Sequence, residues 1–280
     1  VVVIGGGTAG LEAACTAAEV GCNTFLLEKG ADLGGLASLI SRIPAKKRLA
    51  DFPHYLMHRA EQLDNLYIFT NTEGTPENIR KFHPNIIVNS TGSAPLLPPI
   101  TGLKDHIDNE NYNIYSIVGM INHIKDFPED LTGKKVAVVG GGAVGLDVVE
   151  FFADRHADIS IIEMMDQIGR DLDPVTKNDT KTMMKKHDVK QLTKTALLEV
   201  RDNSFLVKAD GEPYEIPFDY GFVCLGMRAQ GQLYQDLLDS FSTENVEILN
   251  IGDSQRARRI IDGTQEGRNI LTTLTQKGYL

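Results

Sequence analysis

Cysteine is scarce in this sequence, with Cys15, Cys22 and Cys224 the only three in 280 residues and neither CxxC nor zinc-type spacing among them. A disulfide-stapled scaffold, a structural zinc site and an iron–sulfur cluster held by this chain alone are therefore not expected. Sparse, unpaired thiols suit a reducing compartment, so the expected location is cytoplasmic. Positive charge is short as well: 28 Lys and Arg against 38 Asp and Glu leave a net charge of −10. An acidic surface repels phosphate backbones and anionic lipid, so neither nucleic acid nor a membrane surface is an expected partner. No apolar run approaches the roughly 20 residues of a membrane helix. A signal peptide and an initiating methionine are both missing, and the chain opens directly in an apolar strand. That start is expected of a piece of a longer polypeptide, or of a chain with something upstream removed.

What is present is a repeat. Residues 1–29 read VVVIGGGTAGLEAACTAAEVGCNTFLLEK, and 135 residues later the chain reads VAVVGGGAVGLDVVEFFADRHADISIIEM. The two align without a gap, placing Gly5, Gly7, Gly10 and Glu28 on Gly140, Gly142, Gly145 and Glu163. Each copy is an apolar strand, a glycine turn, a helix rich in small or β-branched residues and a second strand ending in a carboxylate. Two βαβ units are thus expected, giving an α/β fold of two Rossmann-like dinucleotide-binding domains. The first glycine allows the tight strand-to-helix turn, the second lets backbone approach a pyrophosphate, and the third lets the helix pack closely on the strand. The pyrophosphate would rest on the amides opening each helix, at Thr8 and Ala9 in the first copy and Ala143 and Val144 in the second. Glu28 and Glu163 would accept hydrogen bonds from adenosine ribose hydroxyls. A lone GxGxxG is weak, but here strand, helix and acid accompany it twice.

The chain resembles the FAD- and NAD(P)-binding half of the pyridine-nucleotide disulfide oxidoreductase-like flavoproteins. More narrowly, it is similar to the C-terminal portion of the 2,4-dienoyl-CoA reductase, 2-enoate reductase and trimethylamine dehydrogenase family, the Old Yellow Enzyme-like NADH:flavin oxidoreductases. The resemblance rests on the two glycine fingerprints, Leu33-Gly34-Gly35, Asn89-Ser90-Thr91-Gly92-Ser93, Val223-Cys224-Leu225-Gly226-Met227-Arg228 and Ile251-Gly252-Asp253. It implies that the first fingerprint holds FAD and the second a nicotinamide nucleotide. By resemblance, Lys29, Gly35, Leu36, Thr91 and Gly92 join the FAD site, Gly252-Asp253 meets the flavin ribityl chain, and Gly226 joins the NAD site. A helix within residues 258–274 would aim its N-terminus at the flavin pyrimidine ring. Departures from the family pattern are Thr8 for a usual Pro, Ser254 for a common Cys and Gly263 for a common Ala.

The resemblance places the nicotinamide domain at 106–227, inserted into a discontinuous FAD domain of 1–105 and 228–280. Pro95, Pro98, Pro99 and Gly102 form a stiff exit, and residues 228–232 a polar return. Asp147 is the one catalytic candidate. Its position resembles that of an acid turned toward the nicotinamide carboxamide, and it equally suits an early-turn Asp favouring the helix dipole. His54, His58 and Glu61 have helical metal-site spacing, but Tyr55 stands where a zincin needs Glu, so a solvated face and no metal are expected. Arg256, Arg258 and Arg259 read as a phosphate contact, a partner contact or an exposed basic turn.

These readings converge on a module that passes hydride from NADH to FAD and hands electrons to an acceptor. By resemblance, the acceptor is an N-terminal barrel carrying FMN and a 4Fe-4S cluster, absent here. Two alternatives stand beside it: an NADH:ferredoxin- or rubredoxin-type reductase with a separate electron acceptor protein, and a non-catalytic ADP-binding module. Oligomerisation is left open. NADH is expected over NADPH, because Glu163 would face the 2′-phosphate and Met164 and Met165 stand where NADP sites place Arg. Arg155 is the nearest basic residue before Glu163 in the sequence.

Overall fold

The computed structural model describes residues 1–170 and 172–280. The chain begins β1 (Val2–Ile4), α1 (Thr8–Glu19), β2 (Thr24–Leu27), α2 (Gly35–Ile40), a 3-10 turn over Pro44–Ala50, α3 (Asp51–Glu61), β3 (Leu66–Phe69), α4 (Pro76–Arg80), β4 (Ile86–Asn89) and β5 (Ser93–Pro95). It continues through α5 (Leu103–His106), β6 (Ile114–Tyr115), α6 (Ile117–Asn122), β7 (Lys135–Val139), α7 (Ala143–Ala153), β8 (Asp158–Ile162), α8 (Pro174–Lys186) and β9 (Lys190–Leu192). Strands β10 (Ala196–Arg201), β11 (Ser204–Lys208), β12 (Tyr214–Pro217) and β13 (Tyr220–Val223) follow. The last stretch is β14 (Met227–Ala229), α9 (Gln232–Ser240), β15 (Glu247–Asn250), a 3-10 turn over Gly252–Ser254, α10 (Ile260–Arg268) and α11 (Ile270–Gln276). The helix expected near the C-terminus is therefore two, meeting at Asn269.

Two compact units result, one of Val1–Arg42, Lys46–Ala94 and Met227–Leu280, the other of Ile43–Ala45 and Pro95–Gly226. The first is built on a five-stranded parallel sheet of order β15-β4-β1-β2-β3. Its three inner strands β1, β2 and β4 are short and largely buried on both faces, which is why VVI, TFLL and IIVN read as mostly apolar runs. One face carries α1, where Leu11, Ala13, Ala14, Cys15 and Ala17 are fully buried with Leu56 of α3 and Ile270 and Leu274 of α11. Small residues let α1 lie close to its neighbours: a Cβ on Gly267 of α10 would stand 2.5 Å from the Ala9 carbonyl oxygen. The other face packs Ile4, Leu27 and Ile87 against Ile79, Leu237 and Phe241.

The second unit repeats the plan, with a parallel sheet of order β6-β13-β7-β8-β9. Strands β7, β8, β9 and β13 take the places of β1, β2, β3 and β4, and only the fifth strand comes from a different point in the chain. An antiparallel ribbon, β10-β11-β12, fills the connection from β9 to β13. Its inward residues Val200, Phe205, Val207 and Ile216 share a core with Ala137, Val139 and Val223 of the sheet. On the opposite face, Phe127, Phe151, Phe152 and Phe222 form an edge-to-face and tilted aromatic cluster. Among the described residues, no helix is long and apolar enough to cross a membrane.

Candidate functional site

In each sheet the strand order reverses direction between the two central strands, β1 and β4 in the first unit and β7 and β13 in the second. Ligands of doubly wound folds bind at that switch point, outside the carboxyl ends of the strands. Both glycine turns lie there. In the first, an ideal Cβ on Gly5 would meet the Ser90 carbonyl oxygen at 2.4 Å, and one on Gly10 the Gly5 carbonyl oxygen at 2.0 Å. In the second, the equivalent atoms on Gly140 and Gly145 would meet the Cys224 and Gly140 carbonyl oxygens at 2.1 and 1.9 Å. Neighbouring backbone thus dictates the first and third glycines of each motif.

The middle glycines differ. A Cβ on Gly7 or Gly142 would meet nothing within 4 Å, and both have extended backbone that any residue adopts, with φ of −73° and −80°. Nothing in the protein demands glycine there. Each opens a helix, α1 or α7, and caps it without a side chain. By contrast, Thr75, Ser116 and Asp173 cap α4, α6 and α8 with their own oxygens. The opening amides of a helix have no intrahelical partner and attract anions. An open cradle over uncapped amides fits a pyrophosphate, with Thr8, Ala9, Ala143 and Val144 supplying the N–H groups. Gly35, the first residue of α2, lines the first cradle, since its Cβ would stand 3.0 Å from the Gly7 Cα. Leu36 follows it, half-buried.

The two acids are held alike. Glu28 accepts from the Gly6 amide at 2.7 Å and the Gly30 amide at 2.7 Å. Glu163 accepts from Gly141 at 2.6 Å and Met165 at 2.7 Å. Each carboxylate oxygen takes one backbone bond and keeps a free lone pair, so each acid can both brace its glycine turn and receive a ribose hydroxyl. Lys29 and Met164 follow the acids, both exposed. The repeat runs past the carboxylates to Gly34 and Gly169, glycines at the same 135-residue spacing whose amides donate to the Gly6 and Gly141 carbonyls at 2.8 and 2.7 Å. Gly92 and Gly226, each past its fourth strand, have φ of +78° and +99° with open space at the missing Cβ.

In the first unit, the downstream motifs are drawn to the same strand ends. Gly252 packs on Ala9, with a Cβ-to-Cβ separation of 2.9 Å were it alanine. Asp253 is half-buried, accepting from the Ser93 hydroxyl at 3.0 Å and the Arg258 amide at 3.0 Å. A network that the sequence did not disclose joins this turn to Thr91. The Thr91 hydroxyl donates to Asn89 Oδ1, Asn89 Nδ2 donates to Asn250 Oδ1, and the Ser254 hydroxyl contacts Asn250 Oδ1, at 3.0, 2.9 and 2.8 Å. Asn89 is fully buried, and short polar residues at two adjacent strand ends are the one signal that could have revealed the pair.

Asp147 sits on α7, half-buried beyond Gly145. With Asp108 it supplements burial in pushing the Cys224 thiol up to about 12; burial likewise pushes Cys15 to about 11. Both are inert core thiols. Arg155 lies at the amino end of β8, opposite Glu163. Its guanidinium stacks 3.6 Å from the centre of the Phe151 ring, and burial lowers its affinity for a proton. Basic residues on the same edge as Glu163 include Arg170, exposed directly after Gly169, and Lys194, exposed with its amide on the Met165 carbonyl at 2.9 Å. His58 pairs with Glu61 at 3.4 Å on an exposed face of α3, and the described residues contain no cluster arranged to hold a metal. Of the three arginines, Arg258 is bound to Glu266 at 2.6 Å and Arg259 lies 3.6 Å from Asp262.

Comparison with known proteins agrees with this geometry. The chain is 27% identical over 267 residues to an NADH oxidase of Thermoanaerobacter brockii, covering 95% of this chain and 40% of that protein. It is 30% identical over 305 residues to a metal reductase of Desulforamulus reducens, covering 96% of this chain and 43% of that one. A 2-naphthoyl-CoA reductase superposes with a TM-score of 0.81 at 24% identity, over 96% of this chain and 39% of that one. The chain therefore spans about two fifths of the length of these relatives. Residues 1–248 match the family described as pyridine nucleotide-disulphide oxidoreductase. With two complete dinucleotide folds and that match, the chain belongs to the pyridine nucleotide-disulphide oxidoreductase family.

Proposed function

We propose that this chain is the electron-input module of a larger reductase, taking hydride from NADH onto FAD and passing electrons to an acceptor domain or protein outside it. The observation that carries the reading is the duplicated cradle: two open middle glycines over uncapped helix amides, each braced by a strand-end carboxylate. The FAD domain is assigned to 1–105 with 228–280 and the nicotinamide domain to 106–227. Gly5, Gly7, Thr8, Ala9, Gly10, Glu28, Lys29, Gly35, Leu36, Thr91, Gly92, Gly252 and Asp253 are assigned to FAD. Gly140, Gly142, Ala143, Val144, Gly145, Glu163 and Gly226 are assigned to NADH, with Asp147 facing the carboxamide.

Bound together, the two cofactors supply the hydride chemistry themselves. The chain's residues bind and orient. Helix amides neutralise each pyrophosphate, Glu28 and Glu163 fix each adenosine, and Asp253 fixes the ribityl chain. NADH is favoured because Glu163 already receives two backbone amides. That anchoring holds its charge where a 2′-phosphate would lie, at a cost on the order of a few kcal/mol in a partly dry site. An external acceptor is inferred because relatives of this chain are more than twice its length. By resemblance, the missing portion would be an FMN and iron–sulfur barrel. The test is turnover by the purified chain loaded with FAD. With NADH it should reduce an artificial dye and leave an enoate untouched. Enoate reduction by the isolated chain would overturn the module reading.

A further inference from the structure

Glu266, on α10, belongs to none of the motifs above, yet its carboxylate holds both ends of the turn that carries Asp253. One oxygen accepts from the Gly252 amide at 2.7 Å and the other from Arg258 Nη2 at 2.6 Å. The Arg258 guanidinium is further fixed by the Arg256 carbonyl through Nε at 3.3 Å. With its side chain held, Arg258 presents its backbone amide to Asp253 Oδ1 at 3.0 Å, while the Ser93 hydroxyl takes Oδ2 at 3.0 Å. The Glu266 and Arg258 side chains are 26% and 29% exposed, and although their bond lies at the surface, the second bond of Glu266 to the Gly252 amide and that of Arg258 to the Arg256 carbonyl fix both ends. Gly252 cannot drift either, being wedged against Ala9 and Gly263. The segment 252–258 is thus a small loop closed by one carboxylate, and the direction of the Asp253 side chain depends on that closure.

We propose that Glu266 is a positioning residue for flavin binding, acting through Arg258 to aim the Asp253 carboxylate at the ribityl hydroxyls. This rests on the reading of the first unit as a FAD site. Such a role touches only the part of FAD beyond its pyrophosphate. ADP, which ends there, meets the glycine cradle and Glu28 and never reaches Asp253.

The experiment measures the affinities of FAD and ADP for the purified chain by equilibrium titration, in wild type, Glu266→Gln, Arg258→Met, Asp253→Asn and the Glu266→Gln/Asp253→Asn double variant. Gln keeps one oxygen for the Gly252 amide and sets an amide group against Arg258, so only the outer grip is broken. Arg258→Met breaks the same grip and leaves Glu266 on Gly252, which covers the case where the first variant folds poorly. Each single variant should weaken FAD by about five- to tenfold, the effect of one charge-assisted hydrogen bond partly transmitted. ADP should change less than about twofold, and the double variant should be no weaker than Asp253→Asn alone. Equal weakening of FAD and ADP would make Glu266 merely structural and overturn the proposal, as would an unchanged FAD affinity or additive losses in the double variant. Wild type binding FAD no more tightly than ADP is a different failure, that of the FAD reading itself, and the proposal falls with it.

Discussion

Replacing Gly7 by alanine separates a glycine kept for the fold from one kept for a ligand. The new methyl would meet no protein atom within 4 Å, and the backbone at φ −73°, ψ −176° is one alanine adopts without strain. The free protein should therefore be as stable as wild type or slightly more so, by about 0.4–1 kcal/mol from the reduced freedom of the unfolded chain. The methyl does occupy the space where a pyrophosphate must approach the α1 amides. Forcing an extra carbon into a close-packed contact costs about 1–3 kcal/mol, so the dissociation constants of FAD and ADP should both rise by about 5- to 150-fold. Gly10→Ala should behave in the opposite way. Its methyl would stand 2.0 Å from the Gly5 carbonyl oxygen and 2.4 Å from the Ser90 hydroxyl oxygen, so the free protein should lose about 1–3 kcal/mol. Thermal unfolding without cofactor and equilibrium titration with FAD and ADP read the two effects apart. Gly7→Ala binding FAD as tightly as wild type, or melting several degrees lower when free, would refute the reasoning.

Nucleotide choice should favour NADH over NADPH by at least about tenfold in dye reduction at equal low concentration, a modest share of the like-charge repulsion. Glu163→Gln should narrow that ratio, whereas an NADPH preference in wild type would point to Arg170 and contradict the role given to Glu163. Arg59→Met should destabilise the chain by about 2 kcal/mol in denaturant unfolding, because it removes charge-assisted hydrogen bonds to Glu12 and Glu19 and leaves the 7% exposed Glu12 carboxylate with Arg268 at 3.3 Å. An unchanged midpoint would contradict that. The same variant should be less acid-sensitive. The hydrogen bond from Arg59 holds the Glu19 carboxyl below its usual 4.5, so its stabilisation is present above that pH and lost as pH falls through the lowered value. In the folded chain at pH 8, a thiol reagent should modify half-buried Cys22 first, with Cys15 and Cys224 following only on unfolding. Equal rates at all three would be inconsistent with their burial.

The fold was legible where backbone geometry leaves one residue choice. Gly5 and Gly10 must be glycine because carbonyl oxygens stand where a side chain would begin, so the repeat surfaced as letters and brought both βαβ units with it. Past Gly34 and Gly169, which still align at the 135-residue spacing, much of the duplication shows in conformation more than in letters. Asn71 and Lys194 occupy matching left-handed turns, with φ of +50° and +52°, and their amides bond the carbonyls of Gly30 and Met165. Many side chains can satisfy such a turn, so the sequence hides the match. The polar supports of the first site were hidden for another reason. Asn89 and Asn250 are 161 residues apart and meet only because β4 and β15 pair in register. Glu266 reaches Gly252 only once α10 has folded back on α1. Arg155 was conspicuous by its nearness in sequence, yet five strand residues, rising about 3.3 Å each, carry the chain from its end of β8 to Glu163.

The central claim is that this chain accepts hydride from NADH onto its own FAD. It is tested most directly by adding NADH, without oxygen, to the purified chain reconstituted with FAD and freed of excess cofactor, while following visible flavin absorbance. The expected result is that the flavin remains bound through desalting and its visible band bleaches on NADH addition, with Gly142→Ala keeping the flavin and slowing the bleach at low NADH. A chain that retains ADP but not FAD, or whose bound FAD stays oxidised at saturating NADH, would contradict it.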